Sequence, residues 1–110
     1  MKVGLIRCMQ TEDICGAVYC LKAIKEKHGT FKGEEEEVEL LGICTCGGCP
    51  GKKAVTRAES MVKTGCDTIV LSSCITRGSP LAFPCPNAEQ MIAAIKKRVG
   101  KDVQVLTYSH

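Results

Sequence analysis

Short apolar runs and helical stripes alternate along the whole chain, and this alternation limits the fold more than any other feature. Val3, Leu5 and Ile6 make a short apolar strand that ends near Cys8. Ile14, Ala17, Val18, Leu21 and Ile24 recur at helical spacing, with Gly29 as a stop. Val38 to Cys44 reads as a second strand. Ala54, Val55, Ala58, Met61 and Val62 form a second helical stripe closed by Gly65. Thr68-Ile69-Val70-Leu71 is β-branched and apolar on both faces, as a buried parallel strand is. Asn87 caps a third helix, with Gln90 three residues on as its capping-box partner. That helix carries Met91, Ile92, Ile95 and Val99 and stops at Gly100, and Val103 to Leu106 is the last strand. The order is βαβαβαβ, and short links in such an order require parallel strands and right-handed crossovers. The expectation is an α/β fold: a small four-stranded parallel sheet, order 2-1-3-4, flanked by three helices in a flavodoxin-like or Rossmann-like three-layer sandwich. The length of 110 residues fits one domain, residues 1–110. The 45% hydrophobic content is enough to fill a core without cross-links.

Nine of the residues are cysteines. In a secreted chain these would read as disulfides. Here Arg7 interrupts the N-terminal apolar run too early for a signal sequence, and the odd count leaves at least one thiol unpaired. No apolar run approaches the roughly 18 residues of a membrane span. The expectation is a cytoplasmic chain that uses its cysteines for metal or redox chemistry. The formal net charge of +3, without a basic stripe and with only two Tyr and two Phe, argues against a nucleic-acid partner. Glu34 to Glu37 reads as a solvated loop entering the second strand.

The topology sorts the cysteines. In a parallel α/β sheet, ligands gather beyond the carboxyl ends of the strands. Cys8 ends the first strand, and Cys15 lies in the first turn of the helix that follows. Cys46 and Cys49 follow the second strand in Cys46-Gly47-Gly48-Cys49-Pro50-Gly51. Cys74 ends the third strand, Cys85 lies in a Pro-rich loop before the third helix, and His110 ends the fourth strand. All four strands thus deliver a soft ligand to one edge. Cys46 and Cys49 carry the strongest local signal, because two thiolates two residues apart can grip one ion. Pro50 suits a first helical position, which makes Cys49 an N-cap, and a helix N-terminus with Lys52 and Lys53 nearby favours thiolate.

Three cysteines fit a structural role better. Cys66 precedes the third strand, at the opposite edge of the sheet. Cys20 lies farther along the first helix and round its axis from Cys15. Cys44 ends a buried strand. His28 reads as a residue at a helix C-terminus. Arg7 and Arg77 lie near the proposed edge, where cations relieve repulsion among thiolates; they read equally well as ordinary surface arginines.

The central Cys46-Gly47-Gly48-Cys49-Pro50-Gly51 resembles the CGGC domain family. The resemblance extends to Ile6-Arg7-Cys8, Thr11-Glu12, Cys15, Ser73-Cys74, Pro84-Cys85-Pro86 and the closing His110, so it runs over essentially the whole chain. It implies a metal-binding domain, with zinc as the ion, and no established catalytic activity. Many members end in Gly-Thr-His; this chain has Tyr108-Ser109-His110, which keeps the histidine. Cys20, Cys44 and Cys66 fall outside the motif positions.

The leading expectation is a metal-binding domain with Cys8, Cys15, Cys46, Cys49, Cys74, Cys85 and His110 as candidate ligands. Seven candidates exceed the four ligands of one tetrahedral zinc, so an iron–sulfur cluster is the alternative on chemical grounds. A thiol–disulfide oxidoreductase using Cys46 and Cys49 is the enzymatic alternative. A flavin or nucleotide binder lacks its motif: there is no G-x-G-x-x-G. A phosphatase-type loop also fails, because Ile14 and Pro80 stand where the arginine following Cys8 or Cys74 would be needed.

Overall fold

The segment Thr68–Leu71 is buried at every residue, and this puts it inside the sheet rather than at an edge. The structure is a computed structural model describing residues 1–110. Strands β1 (Lys2–Arg7), β2 (Glu39–Thr45), β3 (Thr68–Leu71) and β4 (Gln104–Leu106) form one sheet in the order β2-β1-β3-β4. All neighbours pair parallel, with Leu5 of β1 opposite Ile43 of β2 and Val70 of β3. The alternation seen in the sequence therefore gives the expected α/β architecture. Its helices are α1 (Val18–Glu26), α2 (Lys52–Lys63), the one-turn α3 (Ser73–Thr76) and α4 (Ala88–Val99). The short α3, which makes four helices rather than three, lies within the segment read as a loop.

The pleat of β1 and β3 divides the interior into two cores. Ile6, Ile69 and Leu71 point to one face and pack with Ala54 and Ala58 of α2 and Met91 and Ile95 of α4. Val3, Leu5 and Val70 point to the other and pack with Ala17, Cys20, Ala23, Ile24 and Phe31. Each of these strand side chains is fully buried. At about 1.5–3 kcal/mol per buried aliphatic side chain, β1 and β3 are the keel of the molecule.

Local details differ from the sequence reading in three places. Helix α1 begins at Val18 rather than near Ile14, after Ala17 in a left-handed conformation. The delayed start turns Ala17, Cys20, Ala23 and Ile24 inward, and Ile14, Val18 and Leu21 outward. Small side chains at i, i+3 and i+6 let the helix approach the sheet closely, which hydrophobicity alone does not reveal. Helix α2 begins at Lys52 with Gly51 as its N-cap, so Pro50 lies ahead of the helix and Cys49 does not cap it. Asn87 is the N-cap residue of α4, but its side chain makes no capping hydrogen bond, so the capping box does not form. No helix is long and apolar enough to cross a membrane.

Asp67 fastens the amino-terminal end of the sheet. The Lys2 amide donates to its Oδ1 at 3.0 Å and the Thr68 hydroxyl donates to the same oxygen at 2.8 Å. The Lys2 amide first, and then the Thr68 hydroxyl, hold this carboxyl below the ordinary carboxylate range. Its contribution is fully present above the unfolded-state value of about 3.9 and is lost as pH falls through the folded-state value. Asp67→Asn should therefore flatten the acid dependence of stability. Urea unfolding at about pH 6 and about pH 2 checks it: the gap between wild type and variant narrows at the lower pH. Asp67 is exposed, so the effect is small.

Candidate metal centre

Because all four strands run the same way, the loops that leave them share one rim. Cys8 follows β1, Cys46 and Cys49 lie between β2 and α2, Cys74 is the second residue of α3, and Cys85 precedes α4. Cys8, Cys49, Cys74 and Cys85 line one cavity of about 170 Å³, walled also by Leu81 and Phe83. Cys46 is buried beneath it, 6% exposed, in the core with Ile6 and Cys74. All nine cysteines are free thiols.

The backbone holds these sulfurs through bonds between the loops. The Cys46 amide donates to the Arg7 carbonyl at 2.7 Å, and the Cys85 amide to the Ile75 carbonyl at 2.7 Å. Thr11, fully buried, donates from its hydroxyl to the Cys8 carbonyl at 3.0 Å and fixes the turn after β1. Two sulfurs themselves accept amide hydrogens: Cys74 Sγ from the Cys8 amide at 3.2 Å, and Cys85 Sγ from the Asn87 amide at 3.4 Å. Such N–H···S bonds orient and stabilise metal-bound sulfur. Arg57 donates to the Thr45 carbonyl at 2.9 Å and its hydroxyl at 3.1 Å, and the Gly47 amide donates to the same hydroxyl at 3.3 Å. Thr45 and Arg57 thus support the turn that carries Cys46 and Cys49.

Burial pushes the Cys8 thiol above its ordinary value. The neighbouring Cys46 and Cys74 thiols push the same way, while the Gln10 amide opposes them. A bound cation reverses this balance, because it attracts the charge that neighbouring sulfurs repel. The side chains as they stand do not bring three of the chain's His, Cys, Asp and Glu groups together at metal-binding distance. Cysteine has a single side-chain torsion, so each rim thiol can turn about Cα–Cβ among its staggered rotamers. The donor set fits a soft or borderline metal: several thiols in one largely apolar cavity, two of them already accepting amide hydrogens.

Two of the seven candidates stand apart. Cys15 lies before α1, not in its first turn, and with His110 it lines a neighbouring cavity. His110 is held by its backbone. The Ser73 hydroxyl accepts from the Ser109 and His110 amides at 3.1 and 3.0 Å and donates to the His110 carbonyl at 2.8 Å. Ser109 Oγ in turn accepts from the Ser73 amide at 3.2 Å and meets Cys20 Sγ at 3.1 Å. Burial, then His28 and Arg77, lowers the imidazole's affinity for a proton.

The arginines are engaged locally. Arg7 donates to the Cys15 carbonyl, and Arg77 lies over the Tyr108 ring at 3.9 Å and donates to the His110 carbonyl at 3.1 Å. His28 follows the αL residue Lys27 that ends α1 and faces Glu26 at 3.5 Å. Cys44 and Cys66 pack in the interior, where burial raises both thiols. Cys20 is buried too, but it reaches Ser72 and Ser109. Sequence reasoning named Ser73 and Ser109 only within motifs and gave them no role, and it missed Leu81 and Phe83. Nothing local announces the clasp between Ser73 and residues 109–110.

No solved structure matches the chain. It is 38% identical over 81 residues to the uncharacterized protein MJ0582 of Methanocaldococcus jannaschii, an alignment covering 67% of this chain and 62% of that protein. It is 31% identical over 64 residues to the uncharacterized protein MJ0766 of the same organism, covering 57% of this chain and 92% of that one. The profile described as CGGC domain matches residues 2–110. The spacing of the rim cysteines and this match over nearly all residues agree: the chain belongs to the CGGC domain family.

Proposed function

We propose that residues 1–110 act as one metal-binding domain and that Cys8, Cys46, Cys49, Cys74 and Cys85 supply the ligands, with zinc as the ion. The observation that carries this reading is the single cavity onto which four of these thiols open from loops far apart in the chain. Zinc, when bound, supplies a positive centre that holds thiolates together without redox chemistry. The chain's own part is to position sulfurs from three crossovers and to wall the cavity with Leu81 and Phe83. Cys15 and His110 line the neighbouring cavity and stand outside this ligand set.

Five thiols exceed one tetrahedral shell, and the amide bonds to Cys74 and Cys85 suit a cluster as well as an ion. An iron–sulfur cluster is therefore the second reading. The thiol–disulfide reading of Cys46 and Cys49 needs both sulfurs accessible, and the burial of Cys46 counts against it.

Metal analysis of anaerobically purified protein, with its visible spectrum, tests the proposal. Anaerobic handling matters because exposed thiolates oxidise. The expected result is a colourless protein with stoichiometric zinc. Brown protein containing iron and acid-labile sulfide selects the cluster. A metal-free protein whose Cys46 and Cys49 cycle between thiol and disulfide defeats both.

A further inference from the structure

A second cavity, of about 180 Å³, opens between the segment before α1, the start of α1 and the loop after α3. Its apolar walls are Ile14, Val18, Tyr19 and Pro80, and the Cys15 thiol and His110 imidazole supply polar atoms. The walls follow from the way α1 sits. With Ala17, Cys20, Ala23 and Ile24 turned inward, Ile14, Val18 and Tyr19 are left 59%, 56% and 62% exposed. Contiguous large apolar groups on a small protein's surface mark places where something binds. The imidazole lies tilted against the Tyr19 ring, centroids 5.6 Å apart. Its backbone is pinned by Ser73 and Arg77, so the polar end of the cavity is fixed in place. Apolar walls converging on a few placed polar groups are the usual form of a small-molecule site.

We propose that this cavity binds a small neutral alcohol or phenol, its apolar body against Val18, Tyr19 and Pro80 and its hydroxyl on His110. The volume sets the size, since an apolar cavity of roughly 150 Å³ admits benzene. No Lys, Arg, Asp or Glu lines the cavity, so an ionic ligand would lose its hydration without gaining a full charge partner. The loop after α3 serves both cavities: Ser79 and Pro80 face this one, while Leu81, Phe83 and Cys85 face the thiols. The occupant therefore rests against the back of the loop that carries Cys85. The inference does not depend on which metal the thiols hold.

Titration of the full chain with phenol and, separately, toluene, followed by amide chemical shifts, tests it. Saturable phenol shifts are expected at Gly16, Val18, Tyr19 and His110, in protein as isolated and after metal loading alike. Phenol should bind about fivefold more tightly than toluene, the worth of one hydrogen bond, and His110→Ala should erase that preference. Gly16 lines the cavity and a Cβ there meets no atom within 4 Å, so Gly16→Leu adds apolar bulk at its wall without a steric clash at Cβ. That variant should lose both ligands while keeping a native amide spectrum. Unsaturable shifts, shifts outside this cavity, or unchanged binding by Gly16→Leu would overturn the proposal.

Discussion

Cys8→Ser is expected to lower metal affinity at least about 100-fold while leaving the chain folded. Cys8 is the best connected of the proposed ligands. Its thiol shares the cavity with Cys49, Cys74 and Cys85 and neighbours Cys46, and its amide donates to Cys74 Sγ. Serine has nearly the same shape but replaces a soft thiolate with a hydroxyl that stays protonated at neutral pH. The turn itself survives, because Thr11 holds the Cys8 carbonyl through its hydroxyl and its amide at 3.0 and 3.3 Å. Metal per chain after anaerobic purification is the measurement, with Cys66→Ser at the far edge of the sheet as the comparison. Chelator should lower the melting temperature of wild type and leave Cys8→Ser unaffected, since a ligand bound only by the native state adds to its stability. Full metal content in Cys8→Ser would remove Cys8 from the ligand set.

The second large effect is expected from Gly78→Ala. Gly78 has φ +76°, and a Cβ there would lie 2.5 Å from the backbone carbonyl carbon of Phe83 and from the nitrogen of Pro84. Neither atom can move aside as a side chain could. The Phe83 amide donates to the Gly78 carbonyl at 3.2 Å and closes the loop that leads to Cys85. Left-handed strain together with the clash costs about 2–4 kcal/mol, or about 10 °C in melting temperature. Metal content falls with it, because Leu81, Phe83 and Cys85 all ride on this loop. Gly33 separates the two causes. Its φ is +82° but a Cβ there meets nothing within 4 Å, so Gly33→Ala carries the strain alone, about 1 kcal/mol, and leaves metal binding intact. Equal losses in the two variants, read from thermal melts and metal analysis, would show that the contact with Phe83 and Pro84 does not matter.

Much of the architecture could be read in the residues. The buried run Thr68–Leu71 and the alternating stripes pointed to a parallel sheet, and likeness to a shortened flavodoxin-type fold supplied the order 2-1-3-4, because right-handed crossovers alone admit other orders. Once that order is known, the carboxyl ends of the strands are fixed, and Cys8, Cys46, Cys49 and Cys74 fall at the same rim. The far position of Cys66 follows by the same reasoning. The inward face of α1 was legible only in part: Ala17 and Ile24 of the expected stripe lie inside, while Ile14, Val18 and Leu21 lie outside. The stripe Ile14, Val18 and Leu21 is more hydrophobic than Ala17, Cys20 and Ala23, yet the smaller residues lie inside because they allow close approach to Leu5 and Val70. The role of Pro50 was also hidden, since Gly51 with φ +91° takes the N-cap and sends Cys49 outward.

The parallel α/β alternation and the rim that gathers the thiols were determined by the sequence alone, because hydrophobic period and chain connectivity are local properties. Only the tertiary structure decided how the thiols divide: four on one cavity, Cys46 beneath it, and Cys15 with His110 on another. That division depends on Ser73 gripping residues 109 and 110, and on the loop from Gly78 folding back to bring Cys85 to the cavity that Cys8 lines. Hydrogen bonds between residues 36 and 37 positions apart leave no periodic trace in a chain, so they appear only when the chain is folded.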